Sequence, residues 1–252
     1  MMSSPIKKNN IVHRSKCTIK IVKGNIFTSK VQTLVNTVNT VGIMGAGIAL
    51  EFRLRYPDMY LQYLKLCKSR KLVIGKLWIY KAGNRWILNF PTKIHWKDDS
   101  KIEYLEAGLI KFVETFKSKG ITSIAFPILG SSNGKIPEEE SLIIMKKHLC
   151  KCDIPIEIYK YNEKSKDDLY ILLSDELMQM SIEDITNKTG IQKGYARKIK
   201  AVLSDKKIRS ISKISKVDGL GIKTLEKLFL YILYNRENPE DTTKKEMQLS
   251  LF

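Results

Sequence analysis

Three glycines, Gly42, Gly45 and Gly47, lie between the strand-like Val35–Val38 and an apolar, helix-like run that starts at Ile48. Asn36, Asn39 and Thr40 precede them. Glycine lets the backbone approach a ligand closely. The free amides of a helix N-terminus behind such a turn bind phosphate oxygens. The order is G-x-x-G-x-G, not the G-x-G-x-x-G of a dinucleotide turn, and no Gly-Lys-Ser/Thr follows. The block reads as a phosphate- or nucleotide-binding loop, the plainer alternative being a tight turn. A second small-residue stretch, Phe126–Lys135 (FPILGSSNGK), also follows a strand-like run. Two such loops leaving one edge of a parallel sheet face each other across a crevice and suit a diphosphate. The alternative is a pair of ordinary strand–helix connections.

The elements that must hold these loops alternate. Cys17–Val22, Thr33–Val38, Leu77–Tyr80, Arg85–Phe90, Ser123–Pro127 and Ile154–Tyr159 are rich in β-branched or aromatic residues and read as strands. Ile48–Leu66, which Pro57 must kink or split, Ile102–Lys117 and Glu138–Leu149 read as helices. Glu138–Glu140 behind Pro137 suit a solvated helix start. The fold class is therefore α/β, a layered domain with a largely parallel sheet, followed by a small all-α part. Trp78–Tyr80 and Trp86–Phe90 form an antiparallel hairpin within the sheet.

After Tyr161 the polar Asn162–Asp168 reads as a linker, and from Leu169 only helices are expected. The predicted divisions are 1–163, 164–235 and a polar tail, 236–252. Ile182–Ile185 recurs 29 residues later as Ile211–Ile214, with Gly190-Ile191 falling on Gly219-Leu220 and Ile199 on Leu228. This predicts two stacked helix–turn–helix units.

The 252 residues carry 44 Lys+Arg against 26 Asp+Glu, a net +18, of which +14 lies in residues 1–163. Such a surface attracts polyanions, nucleic acid above all, although a generally Lys-rich surface would look the same. A hydrophobic fraction of 43% excludes a disordered chain. No apolar run is long enough to span a bilayer. The basic N-terminus lacks the apolar core of a secretory signal, so a cytoplasmic location without membrane partners is expected. Cys17, Cys67, Cys150 and Cys152 lack zinc-site spacing and are expected to be reduced. No metal or cofactor is expected.

Gly24-Asn25-Ile26, the Asn36–Ala49 block and the Pro127–Gly134 loop together resemble a macrodomain, the ADP-ribose-binding fold. Asn39–Leu50, Asn89–Trp96 and Leu105–Leu109 are similar to the DNA ADP-ribosyl glycohydrolases of the DarG type, over about residues 15–160. The resemblance implies adenine near Asn25 and Ile26, where the family usually has Asp as acceptor for the adenine amine. It puts the distal ribose near Asn36, Asn39 and the Gly45–Gly47 turn. The diphosphate then lies on amides from Gly42 to Ile48 and from Ser131, Ser132, Asn133 and Gly134. Thr40, Met44, Thr92, Pro127, Leu129 and Gly130 complete the candidate wall. Lys93 matches the family's catalytic lysine; desolvated, it can act as base or nucleophile toward the anomeric carbon. A related eukaryotic branch pairs this lysine with an aspartate, whose place here is Gly134. Asp98, Asp99 or a water held by Asn39 are candidate substitutes. His95 and Trp96 either contact an extruded base or simply pack the loop.

The implied activity is removal of ADP-ribose from a nucleobase in DNA, in a repair or antitoxin role. The rivals are a non-catalytic reader of ADP-ribosylated DNA and an antitoxin whose tail binds a partner ADP-ribosyltransferase toxin. Val217–Leu228 resembles a helix-hairpin-helix, whose Gly219, Gly221, Lys223 and Thr224 would hold a DNA phosphate. Gln248, Leu249, Leu251 and Phe252 are similar to the bacterial sliding-clamp-binding motif.

Overall fold

The structure, a computed structural model, describes residues 18–162 and 164–235. One six-stranded sheet is built from β1 (Ile19–Gly24), β2 (Thr33–Val38), β3 (Trp78–Ala82), β4 (Arg85–Pro91), β5 (Ile124–Pro127) and β6 (Ile156–Tyr161). Its order is β1-β6-β5-β2-β4-β3. Every neighbouring pair is parallel except β3–β4, the expected hairpin. β1 and β6 both start and end about two residues later than the side-chain pattern indicates. Their ladder runs from Ile19↔Ile156 to Gly24↔Tyr161, and pairing, not residue type, sets where a strand stops.

The helices α1 (Gly47–Arg55) and α2 (Pro57–Lys68) are separate. Pro57 is the first residue of α2 and has no amide to continue α1. With α3 (Ile102–Thr115) and α4 (Glu138–Leu149) they make a three-layer sandwich. Strand alternation feeds both layers. Val35, Leu88 and Phe90 face Leu105, Leu109 and Phe112 of α3, and Met145 and Leu149 of α4, on one side. Leu34, Val38 and Ile87 meet Phe52 of α1 and Met59 and Tyr63 of α2 on the other. Gly108 of α3 is a contact residue: a Cβ there would lie 2.2 Å from the Phe90 ring.

The remaining helices are α5 (Asp168–Gln179), α6 (Ile182–Thr189), α7 (Lys193–Ser204), α8 (Ile211–Ile214) and α9 (Ile222–Leu230), with a π turn at Tyr231–Asn235. The 29-residue spacing reappears in their local geometry. Ser181 and Ser210 cap α6 and α8, accepting from the Asp184 and Lys213 amides. Gly190 and Gly219 both take positive φ, 66° and 75°. Lys227 of α9 donates to the Gly190 carbonyl at 2.9 Å. Its counterpart Lys198 on α7 sits where a Cβ on Gly219 would be 2.7 Å from Nζ. The two units thus contact each other reciprocally.

These helices do not form an isolated body behind a linker. Leu50 and Leu54 of α1 share one core with Leu173, Leu177, Leu225 and Phe229. Arg53 of α1 pairs with Glu226 of α9 at 2.6 Å, and Arg55 pairs with Asp168. The expected linker at Asn162–Asp168 is corrected accordingly. Asp167 is buried and accepts from the amides of Tyr170 and Ile211. The polar composition reflects capping, not slack.

The cysteine expectation is corrected too. Cys67 and Cys152 are free, but Cys150 is disulfide-bonded. A bridge depends on Cα atoms approaching within about 7 Å in space, which spacing along the chain does not report. Among the described residues no helix is long and apolar enough to cross a membrane. Gln248, Leu249, Leu251 and Phe252 lie outside the described residues.

Candidate active site

A cleft of about 1030 Å³ opens beyond the C-terminal ends of the parallel strands, where α/β sheets bind ligands. Its lining includes Thr37 and Val38 ending β2, Thr92 and Lys93 following β4, Pro127 ending β5 and Tyr161 ending β6.

The middle of the cleft is backbone. Gly45, Ala46, Gly47, Ile48 and Ala49 line it, and Ala46 caps α1 with no side-chain hydrogen bond. The first amides of α1 therefore point at the cleft with the positive end of the helix dipole behind them. Gly47 holds φ +55°, and a Cβ there would come within 3.1 Å of Asn133 Nδ2 on the facing loop. That facing loop supplies Gly130, Ser131, Ser132, Asn133 and Gly134 to the wall. Gly134 admits no side chain: a Cβ would stand 2.3 Å from the Gly130 carbonyl oxygen and 2.4 Å from Ser100 Oγ. The loop aspartate of the related branch cannot be accommodated at this position.

Asn39 lines the cleft, but its side chain shapes the glycine loop. Nδ2 donates to the Ile43 carbonyl at 2.6 Å, and Oδ1 accepts from the amides of Val41 and Ile43. The Tyr63 hydroxyl lies 3.0 Å from the same oxygen. Thr40 binds the Ile94 carbonyl through its amide and hydroxyl, and the Thr92 amide binds the Val38 carbonyl. These bonds tie the Lys93 segment to the exit of β2.

Lys93 is only 9% exposed, and its Nζ donates to the Asn133 carbonyl at 2.5 Å. Burial holds its pKa below the ordinary lysine value. Asp99 opposes that shift, Lys135 reinforces it and Asp98 opposes it again. Asp99 is itself paired with Lys135 at 3.0 Å. Trp96 and Lys97 line this end of the cleft, with the Lys97 ammonium 5.1 Å from the indole centroid. His95 stands outside the wall, 5.7 Å from Trp96. Exposed Val41, Ile43, Ile94 and Trp96 make an apolar rim on these two interlocked loops.

The opposite end is walled by Gly24, Asn25, Ile26, Phe27, Tyr159 and Tyr161. Asn25 lines it with its side chain already committed: Oδ1 caps the following turn through the Phe27 amide and Nδ2 donates to Lys166 O. Several expected wall residues support the cleft from behind. Asn36 is fully buried and donates to Asn89 across β2–β4. Met44 and Leu129 belong to the two cores. Gly42 is buried against Leu64 and Cys67 with φ +91°, and Thr40 makes only the bonds above. Their loop positions were readable; which way each faced was set by the packed sheet.

Ser100, Glu51 and Ser212 line the cleft without having been anticipated. Ser100 Oγ and Glu51 Oε2 are buried without a hydrogen-bond partner. No motif flags them, since Ser100 follows a polar loop and Glu51 sits within an apolar run. Ser212 arrives from α8, and Ile222 of α9 lies 3.6 Å from where a Cβ on Gly45 would be. Gly219, Gly221 and Lys223 are exposed beside it. Thr224 is buried on the inner face of α9, one turn before Leu228, so the expected phosphate contact through its side chain is corrected.

Residues 35–145 match the Macro domain family. The chain is 44% identical over 126 residues to a protein named DNA ADP-ribosyl glycohydrolase from Thermus aquaticus, across 48% of this chain and 35% of that protein. It thus spans about a third of that curated relative's length. Among solved structures, Thermosipho africanus DarTG in complex with ADP-ribose matches with TM-score 0.56 at 36% identity, over 60% of this chain and 43% of that one. The macrodomain of Thermus aquaticus DarG matches with TM-score 0.53 at 39% identity, over 57% of this chain and 97% of that one. With its sheet order, its strand-end cleft and nearly the whole of that domain covered, this chain belongs to the macrodomain family.

Proposed function

We propose that the chain hydrolyses the N-glycosidic bond between ADP-ribose and a nucleobase in DNA. The observation that carries this reading is Lys93, a desolvated amine at one end of a cleft whose middle is lined by backbone amides. The amides of Gly47, Ile48 and the Ser131–Gly134 loop suit a diphosphate. The flat, aromatic end with Ile26, Phe27 and Tyr159 suits adenine, which leaves the distal ribose against Lys93. There the neutral amine attacks the anomeric carbon, or takes a proton from an attacking water. The C–N bond to the base breaks as the new bond forms, the departing base nitrogen takes the proton given up by the attacking amine or water, and where the amine attacked, water then cleaves the lysine adduct, releasing ADP-ribose and restoring the amine. The names of the Thermus and Thermosipho proteins, a glycohydrolase and an ADP-ribose complex, support the assignment.

Trp96 and the apolar rim beside Lys97 suit stacking of an extruded base. The exposed Gly219 and Gly221, on either side of the buried Leu220, with Lys198 against Gly219 and Lys223 after them, suit a backbone phosphate. Ile222, which follows Gly221, approaches Gly45, and this supports reading such a contact beside the cleft. The chain's own surroundings are read as the cytoplasm, with the terminal Gln248–Phe252 segment engaging a sliding clamp. The lack of room for a carboxylate at Gly134 favours a second reading, a reader that binds without cleaving. Binding of the helical part to a transferase toxin is the third. Incubation with an ADP-ribosylated oligonucleotide decides: release of free ADP-ribose supports hydrolysis, and tight binding without release supports the reader.

A further inference from the structure

Glu51 sits in the second turn of α1 and forms part of the cleft wall, only 7% exposed, with Oε2 lacking any hydrogen-bond partner. A buried polar atom left unpaired is costly, and because Glu51 lines the cleft, a turn of its carboxyl about the last side-chain bond brings that oxygen to a ligand. The charged groups around it are engaged elsewhere, although the Arg55 charge still favours its ionised form. Arg55, one turn on, holds Asp168 with both terminal nitrogens and lies 4.0 Å over the Phe27 ring. Asp167, ahead of α5, uses one oxygen for the Tyr170 amide and the other for Ile211. Glu51 therefore belongs to the aromatic end of the cleft. Lys166, next to Asp167, accepts the Asn25 side chain there, and Phe27 packs against Phe52, the neighbour of Glu51.

We propose that Glu51 reads the base of ADP-ribose, through paired hydrogen bonds to the adenine edge that Asn25, already committed to its own turn, does not make. This rests on ADP-ribose being the ligand of the cleft. Adenine presents a ring-nitrogen acceptor beside an amino donor. A neutral carboxyl presents a donor beside an acceptor, so the two are complementary. The environment supplies that neutral form: burial first, then the charge of Asp167, push the Glu51 carboxyl up to about 8, with Arg55 opposing and Asp168 adding to the rise. Once ionised, the group keeps only acceptors and turns one of them on the ring nitrogen.

The test is calorimetry of ADP-ribose binding to the full chain, comparing wild type, Glu51→Gln and Glu51→Leu from about pH 6.5 to about pH 9.5, with circular dichroism to verify folding. At the lower pH, Glu51→Leu should weaken binding about tenfold or more, the scale of losing such a hydrogen-bonded contact. Glu51→Gln keeps a donor and an acceptor and should retain most of the affinity. Wild-type affinity should fall as pH rises through about 8. Glu51→Gln should not follow it. Lys93 titrates in both proteins, so their difference isolates Glu51. Unchanged affinity in Glu51→Leu, or equal losses in the two variants, overturns the assignment while leaving the ligand intact. A wild type that does not bind ADP-ribose overturns the reading of the cleft as well.

Discussion

Replacing Lys93 by methionine removes the amine while keeping a side chain of similar length. The amine is 9% exposed and makes one hydrogen bond, to the Asn133 carbonyl. Removing a positioned base or nucleophile costs about a hundredfold or more in rate. At about 1.36 kcal/mol per decade, that is at least about 2.7 kcal/mol of barrier. The fold should tolerate the change. The Asn133 carbonyl loses its donor, worth about 1–3 kcal/mol, but a desolvated amine is replaced by an apolar group, which offsets much of it. ADP-ribose affinity should fall far less than the rate, because the amides of α1 and the Ser131–Gly134 loop remain. The pH profile gives an independent readout. Burial lowers the Lys93 pKa, so the reactive neutral amine accumulates as pH rises and the rate should level off below the ordinary lysine value of about 10.4. Lys93→Arg keeps the charge but cannot lose it near neutrality, and should be inactive throughout. The assay is single-turnover release of ADP-ribose from a modified oligonucleotide. Turnover by Lys93→Met within threefold of wild type would refute the reasoning.

Gly47→Glu forces a side chain from φ +55° toward Asn133, and calorimetry should show ADP-ribose binding abolished in a protein whose circular dichroism is native; unchanged affinity would move the diphosphate elsewhere. Gly108→Ala puts a methyl 2.2 Å from the Phe90 ring and should destabilise by about 1–3 kcal/mol in denaturant titration; an unshifted midpoint would mean the α3–sheet contact is loose. Joint replacement of Gly219, Gly221 and Lys223 should weaken binding to duplex DNA about equally for all sequences, with a shallower salt dependence. Retention of wild-type salt dependence would point to a protein partner instead. Deleting residues 248–252 should abolish capture by a sliding clamp in a pull-down but leave hydrolysis of short oligonucleotides intact. Equal capture of both forms would exclude the motif.

Much of the macrodomain was legible because its determinants are local. Runs of β-branched and aromatic residues marked the strands, Pro57 had to kink or split its helix, and the glycines of the two loops marked backbone that lines the cleft. The 29-residue echo between Ile182–Ile185 and Ile211–Ile214 was readable as well, because turn glycines and apolar positions recur at fixed offsets, and the structure adds the capping serines Ser181 and Ser210 to it. Which loop residues face the cleft was not written locally. Met44 and Leu129 lie among the cleft residues in sequence, yet the sheet turns them into the cores. Asn25 and Asn39 have the right chemistry but use their amides to hold their own turns. Glu51, Ser100 and Ser212 join the wall only because α1, the Gly134 backbone and α8 converge there. The same holds for the helical part: its polar lead-in looked like a tether, whereas Leu50, Leu54 and the Arg53–Glu226 pair weld it to α1. Local propensity selects elements and turns, but a side chain's environment is made by residues distant in the chain, and that is decided only when the layers pack.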